Sequence, residues 1–146
     1  MSATADHAEE RTNLAVRLGF QPDQVVQEIG YDDDVDQELR EAIEEITGQE
    51  LVDEDYDDVA DAVVLWFRED DGDLTDALVD AIGMIDDGAP VLLLTPKTGR
   101  DGYVEPSDIN EAATTAGLST TKSINAGKDW TGSRLVTPKA AKSGKR

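Results

Sequence analysis

Two uninterrupted apolar runs, at residues 62–67 and 90–95, constrain the fold of this chain more than any other feature. The first reads Ala-Val-Val-Leu-Trp-Phe and the second reads Pro-Val-Leu-Leu-Leu-Thr. A strand with one wet face alternates apolar and polar residues, whereas a strand of a parallel sheet covered by helices on both faces does not alternate. The two runs therefore predict central, buried strands.

Three segments with helical periodicity are expected to cover such a sheet. Apolar residues recur on one helical face over residues 35–46, 74–85 and 107–116. The residues predicted to cap these helices are Asp73 and Ser107 at the N-terminal ends and Gly48 and Gly117 at the C-terminal ends. Strands and helices therefore alternate along the chain, as they do in α/β proteins.

Short β-branched segments complete the predicted sheet. A first strand is expected at residues 24–29, and a hairpin is expected from residues 119–125 and 133–137, whereas Leu51 and Val52 favour a loop. The predicted architecture is a three-layer α/β sandwich with a mostly parallel, Rossmann-like sheet of about five strands and a C-terminal antiparallel hairpin. This domain is expected to span residues 13–137, between a disordered tail at 1–12 and a flexible basic tail at 138–146.

Charge excludes several classes of function. The chain has 33 acidic and 13 basic residues, and residues 32–87 alone carry 23 of the acids. Such a surface repels phosphates, so we expect neither direct nucleic-acid binding by the core domain nor docking on an anionic membrane. There is no cysteine for thiol chemistry and one histidine, His7. No signal peptide or membrane span is predicted, which favours a cytoplasmic location.

Ligands of open α/β sheets bind beyond the carboxyl ends of the strands. The predicted strand ends here are residues 30–34, 68–73 and 95–100. Lys97 could hold an anion at this edge, but pairing with Asp32 or Glu69 is the favoured interpretation. The candidate ligand-binding residues are Gly30, Tyr31, Thr95, Lys97, Arg100 and Trp130. Trp130 could stack on a ligand, although a structural role in covering the edge of the core is favoured.

The acidic clusters suggest a different kind of partner. An acidic surface attracts basic proteins and accelerates their association. The candidate partner-facing residues are Asp53, Glu54, Asp55, Glu69, Asp70 and Asp71. No metal site is predicted, because the residues around Gly72 do not match a calcium-binding loop. No catalytic residue is predicted either, since nothing in the spacing singles out a pair of carboxylates.

Several segments resemble known families. Residues 86–96 and the hairpin over 117–136 are similar to the late part of class I methyltransferase folds. The segments Leu-Gly-Phe-Gln-Pro at 18–22, Thr-Pro-Lys at 95–97 and Asp-Trp-Thr-Gly-Ser-Arg-Leu-Val at 129–136 together resemble the actinobacterial domain of unknown function 3052 family. The resemblance covers roughly residues 13–137 and implies a cytoplasmic protein with a small Rossmann-like fold.

The departures from the methyltransferase pattern shape the functional hypotheses. A methyltransferase binds S-adenosylmethionine at a glycine-rich turn after its first strand, but here Gly30 is followed by Tyr31 and three aspartates. The strand that would supply an acid to the ribose hydroxyls has no room between Gly48 and Asp61. The first hypothesis is therefore a non-catalytic regulatory module, without a cofactor, that engages a basic protein. The alternative is a reduced S-adenosylmethionine-dependent methyltransferase or a protein that binds a small ligand.

Overall fold

The computed structural model describes residues 16, 18–85, 89–126 and 129–137, except for the side chains of residues 121, 122 and 125. The strands are β1 (Val26–Ile29), β2 (Ala62–Trp66), β3 (Val91–Pro96), β4 (Ser119–Asn125) and β5 (Trp130–Val136). The helices are α1 (Gln37–Thr47), α2 (Leu74–Ile82) and α3 (Pro106–Ala116). The predicted tails, at residues 1–12 and 138–146, lie outside the described residues.

The five strands form one sheet in the order β1-β2-β3-β5-β4. The first three strands run parallel, with Val26 beside Ala62 and Val63 beside Val91. β5 lies antiparallel to β3 and pairs with β4 in the C-terminal hairpin. The α/β class, the parallel start of the sheet and the closing hairpin are confirmed.

Each face of the sheet carries its own apolar core, which gives the predicted three layers. On one face, α1 packs Leu39 and Ile43 against Val64 and Trp66. On the other face, α2 and α3 cover a second core that includes Leu78, Leu93 and Leu135. Every residue of β2 and β3 is buried, as expected for strands that are covered on both sides.

Three of the four predicted helix caps are confirmed. Asp73 accepts hydrogen bonds from the first backbone N–H groups of α2, and Gly48 and Gly117 end α1 and α3 in the left-handed conformation. Ser107 is not a cap. Glu105 precedes α3 and Pro106 occupies its first turn, where a missing N–H costs nothing and the fixed φ suits the helix.

Two strand predictions need correction. The last strand begins at Trp130 rather than at residue 133, because the backbone from Trp130 onward pairs with the end of β3. Val52 was expected in a loop but forms a parallel bridge to Gln27, so a rudimentary strand borders β1. Among the described residues, none belongs to a helix long and apolar enough to cross a membrane.

Candidate functional site

The carboxyl ends of β1, β2 and β3 meet at one edge of the sheet, as predicted, and Arg68 joins the ends of β1 and β2. Arg68 follows β2 directly, and its side chain is only 12% exposed. Its Nη1 donates to the carbonyl oxygens of Gly30 at 2.8 Å and Trp66 at 3.3 Å. The same guanidinium binds the carboxylates of Asp34 and Asp71. We call these contacts the Arg68 clasp.

Trp130, the first residue of β5, adds its ring to the Arg68 clasp. The Arg68 guanidinium lies 5.3 Å from the centre of the Trp130 ring, and the indole Nε1 donates to the Asp34 carbonyl at 3.1 Å. The ring is 3% exposed and meets Trp66 edge-on at 4.9 Å. The structure thus gives Trp130 a structural place, buried against Trp66 at the edge of the core, in agreement with the favoured interpretation.

The Arg68 clasp also changes the chemistry of Asp34. Hydrogen bonds from Arg68 lower the pKa of the Asp34 carboxyl group, because they stabilise its charged form. Burial opposes this effect without reversing it. Asp34 is therefore a fixed negative charge at the turn after β1, and this charge is matched by the guanidinium.

A second buried charge lies on β1. Glu28 is 6% exposed, and its carboxylate accepts from Arg40 Nε at 2.7 Å and Nη2 at 2.9 Å. Trp66 Nε1 donates to the same carboxylate at 2.8 Å. Arg40 also lies 4.8 Å from the centre of the Tyr31 ring. β1, β2 and α1 are therefore connected through one fully hydrogen-bonded acid.

An open groove of about 470 Å³ lies beside Tyr31. The residues that line it are Glu28, Tyr31, Arg40, Leu51, Asp53, Glu54 and Asp55. The Gly30 N–H donates to the Glu54 carboxylate at 3.1 Å, which attaches the acidic loop to the turn after β1. Tyr31 is 53% exposed, and the three acids of the loop are exposed as well. We call this the acidic groove.

A second crevice, of about 490 Å³, lies between the loop after β3 and the start of β5. Arg100 and Trp130 both border it. Arg100 Nη1 pairs with Asp129 at 3.1 Å, and the two side chains are 53% and 41% exposed. The expected pairing of Lys97 with Asp32 or Glu69 is not found in the described part of the chain, where Arg68 carries the counter-charge at this edge instead.

The candidate residues predicted from the sequence thus fall into separate places. Gly30 and Tyr31 join Asp53, Glu54 and Asp55 at the acidic groove, although the sequence treats them as two sets. Glu69, Asp70 and Asp71 form an exposed 3-10 turn after β2. Thr95 lies apart from the other candidate ligand-binding residues. Its side chain faces the α3 side of the sheet, where it lines a third pocket.

Sequence reasoning missed the roles of Arg68 and Glu28. Arg68 is one of two basic residues within residues 32–87, and it follows a buried strand directly, which is a signal that could have found it. Glu28 is an acid within the predicted first strand, and an acid buried in a sheet requires a buried partner. Among the residues described, no three acids or histidines are grouped so as to hold a metal ion.

Comparison with known proteins supplies the family. A model of the family described as "Protein of unknown function (DUF3052)" matches residues 15–139. This chain belongs to that family. The chain is also similar to uncharacterised proteins of Mycobacterium bovis and Mycobacterium tuberculosis, each 53% identical over 142 residues, a match that covers 97% of this chain and 87% of theirs. The resemblance found in the sequence is confirmed.

Solved structures with a similar fold include methyltransferases. Mitomycin 7-O-methyltransferase superposes with a TM-score of 0.61 at 12% identity, covering 89% of this chain and 53% of its own. An S-adenosylmethionine-dependent methyltransferase from Aquifex aeolicus gives a TM-score of 0.53 at 13% identity, covering 88% and 89%. At such low identity the likeness establishes the Rossmann-like fold of this family member and nothing about its chemistry.

Proposed function

We propose that this protein is a non-catalytic binding module whose acidic groove receives a basic segment of a protein partner. The observation that carries the proposal is the arrangement of Tyr31 with Asp53, Glu54 and Asp55 around one open groove. Arg40 already lies over one face of the Tyr31 ring, so the exposed carboxylates of Asp53, Glu54 and Asp55 provide the counter-charge for a lysine or arginine side chain of the partner. The surrounding negative charge would steer a basic partner toward the groove.

The turn after β1 supports a protein partner over a nucleoside cofactor. A glycine-rich turn binds such a cofactor because its backbone can approach the ligand closely. Here Asp32 and Asp34 occupy the turn, the Arg68 clasp fills its inner side, and Glu54 takes the Gly30 N–H. These residues do not fit S-adenosylmethionine, and we derive no methyl transfer from them.

A lysine-rich peptide provides a direct test of the acidic groove. We expect a fluorescently labelled peptide of this kind to bind the full chain in low salt and to dissociate as screening increases toward about 0.5 M salt. The variant Asp53→Lys/Asp55→Lys is expected to weaken binding by at least about tenfold, which corresponds to 1.4 kcal/mol. Fluorescence anisotropy measures both effects.

A matched control separates the acidic groove from the general charge of the protein. Asp80→Lys/Glu111→Lys changes the net charge equally, but it alters exposed positions on α2 and α3, across the sheet from the acidic groove. We expect this variant to bind within about threefold of the unmodified chain. Equal losses in the two variants, or no binding in low salt, would refute the proposal.

The second candidate function is binding of S-adenosylmethionine by a reduced methyltransferase. The observation in its favour is the similarity to methyltransferases of known structure. Calorimetry with S-adenosylmethionine and its demethylated product distinguishes the candidates. The proposal predicts no saturable heat with either compound, whereas micromolar binding would favour the methyltransferase.

A further inference from the structure

A third pocket lies on the opposite face of the sheet from the acidic groove, between α3, the loop that precedes it and the C-terminal hairpin. Its volume is about 290 Å³. Its lining residues are Thr95, Pro96, Thr98, Tyr103, Val104, Pro106, Ile109, Asn110, Thr120, Ser123, Thr131 and Ser133. None of these residues is charged, although charged residues make up 32% of the chain. We call this the hydroxyl pocket.

The floor of the hydroxyl pocket is a continuous patch of hydroxyl groups. Along β3, the side chains that face α3 change from Val91 and Leu93 to Thr95. Thr95 lies directly opposite Thr131 on β5. The next pair across the hairpin on the same face is Ser133 with Ser123 of β4. Directly opposite side chains on antiparallel strands are about 5 Å apart, so the hydroxyl groups are neighbours.

Two of these hydroxyl groups belong to buried residues, but their oxygen atoms open into the pocket. Thr95 is 2% exposed and Ser133 is 4% exposed. Within the part of the chain that the structure describes, neither side chain makes a hydrogen bond, while Thr120 at the rim donates to Asn110 Oδ1 at 3.2 Å. Because both oxygens face the pocket, each is available as a donor and as an acceptor to a molecule that occupies it. A ligand with donors and acceptors along its edge would satisfy both groups.

The walls of the hydroxyl pocket restrict the shape of that ligand. The lining includes the aromatic ring of Tyr103, the rings of Pro96 and Pro106, and the aliphatic side chains of Val104 and Ile109, and an aromatic ring packs favourably against a planar ligand. The volume is at the lower end of the range for small-molecule sites. We propose that the hydroxyl pocket binds a small, uncharged, planar heterocycle with one or two rings and hydrogen-bonding edges. This site is independent of the acidic groove.

Amide shift perturbation in a ¹⁵N-labelled full chain tests the proposal with three probes. Uracil is planar, uncharged and has amide edges, myo-inositol is uncharged but not planar, and benzoate is planar but charged. We expect uracil to shift the amides around Thr95 and Ser133 saturably, with a dissociation constant below about 1 mM. Myo-inositol and benzoate are expected to leave these amides unchanged.

The variant Thr95→Val/Ser133→Ala removes the two unpartnered hydroxyl groups at nearly constant volume. We expect it to fold, with a melting temperature no lower than that of the unmodified chain, and to bind uracil at least about tenfold more weakly. Thr115→Val, on the exposed face of α3, is the control and is expected to leave uracil binding unchanged.

Three outcomes would overturn the proposal. The first is the absence of saturable uracil shifts up to about 5 mM. The second is equal or tighter binding of myo-inositol or benzoate at the same amides. The third is an unchanged uracil affinity in the double variant. The melting temperature of each variant shows that a loss of binding does not come from unfolding.

Discussion

The guanidinium of Arg68 donates to the carbonyl oxygen of Gly30 at 2.8 Å, so the residue that follows β2 closes the turn that follows β1. The side chain reaches this carbonyl across the edge where parallel sheets bind their ligands. It is held there by Asp34 and by the Trp130 ring. The edge is therefore built as a hydrogen-bonded unit, which distinguishes it from the open grooves on either side.

Replacement of Arg68 is expected to destabilise the protein. Arg68→Met leaves the Gly30 carbonyl and the Asp34 carboxylate without their donor, and we expect the free energy of unfolding to fall by about 2–3 kcal/mol. Urea denaturation measures the change. Arg100→Met is the control, because Arg100 pairs with Asp129 at an exposed position and such pairs contribute less than about 1 kcal/mol. Similar losses in both variants would contradict the role of the Arg68 clasp.

The pH dependence of stability should report the pKa of Asp34. Hydrogen bonds from Arg68 lower this pKa in the folded state, so the carboxylate stabilises the fold above the unfolded pKa of about 3.9 and loses this effect as pH falls toward the folded pKa. We expect the stability advantage of the unmodified chain over Asp34→Asn to be full at neutral pH and to shrink below about pH 4. Urea titrations at several pH values measure it. A stability difference between the unmodified chain and Asp34→Asn that stays constant or increases in acid would refute the lowered pKa of Asp34.

The central strands could be predicted from the sequence because burial on both faces leaves a compositional signature. Residues 62–67 and 90–95 have that signature, and β2 and β3 lie where it predicts. The same signature hides which face each side chain takes, since apolar residues occupy both. Thr95 was therefore assigned to the edge with Gly30, whereas the pleat turns it toward α3.

The contacts at the edge could not be predicted in the same way. Arg68 and Asp34 are 34 residues apart, and their contact exists only because β1 and β2 are neighbours in the sheet. Spacing along the chain contains no information about this pairing. The bridge between Val52 and Gln27 is a single residue pair, too short to produce periodicity.

Neutralisation of Glu28 is expected to destabilise the fold without disturbing its shape. Glu28→Gln removes the charge that Arg40 and Trp66 Nε1 face. Loss of one partner of a buried pair costs about 3–5 kcal/mol, and we expect about 2–3 kcal/mol here because the Arg40 side chain is 22% exposed. Chemical denaturation measures the loss, with the exposed Glu50→Gln as the control. A loss under about 1 kcal/mol would mean that the carboxylate charge contributes little.

Added salt is expected to raise the melting temperature, because the net charge of −20 is concentrated in residues 32–87 and repels itself. Sodium chloride at about 1 M shortens the Debye length to about 3 Å and screens this repulsion more than it weakens the buried Glu28–Arg40 pair. Calorimetry should show a rise of several degrees, since 1 kcal/mol corresponds to about 4 °C for a domain of this size. The variant Asp53→Asn/Asp55→Asn should melt higher in low salt and gain less from added salt. A melting temperature that is independent of salt in both proteins would show that the acidic side chains are too well solvated to repel one another.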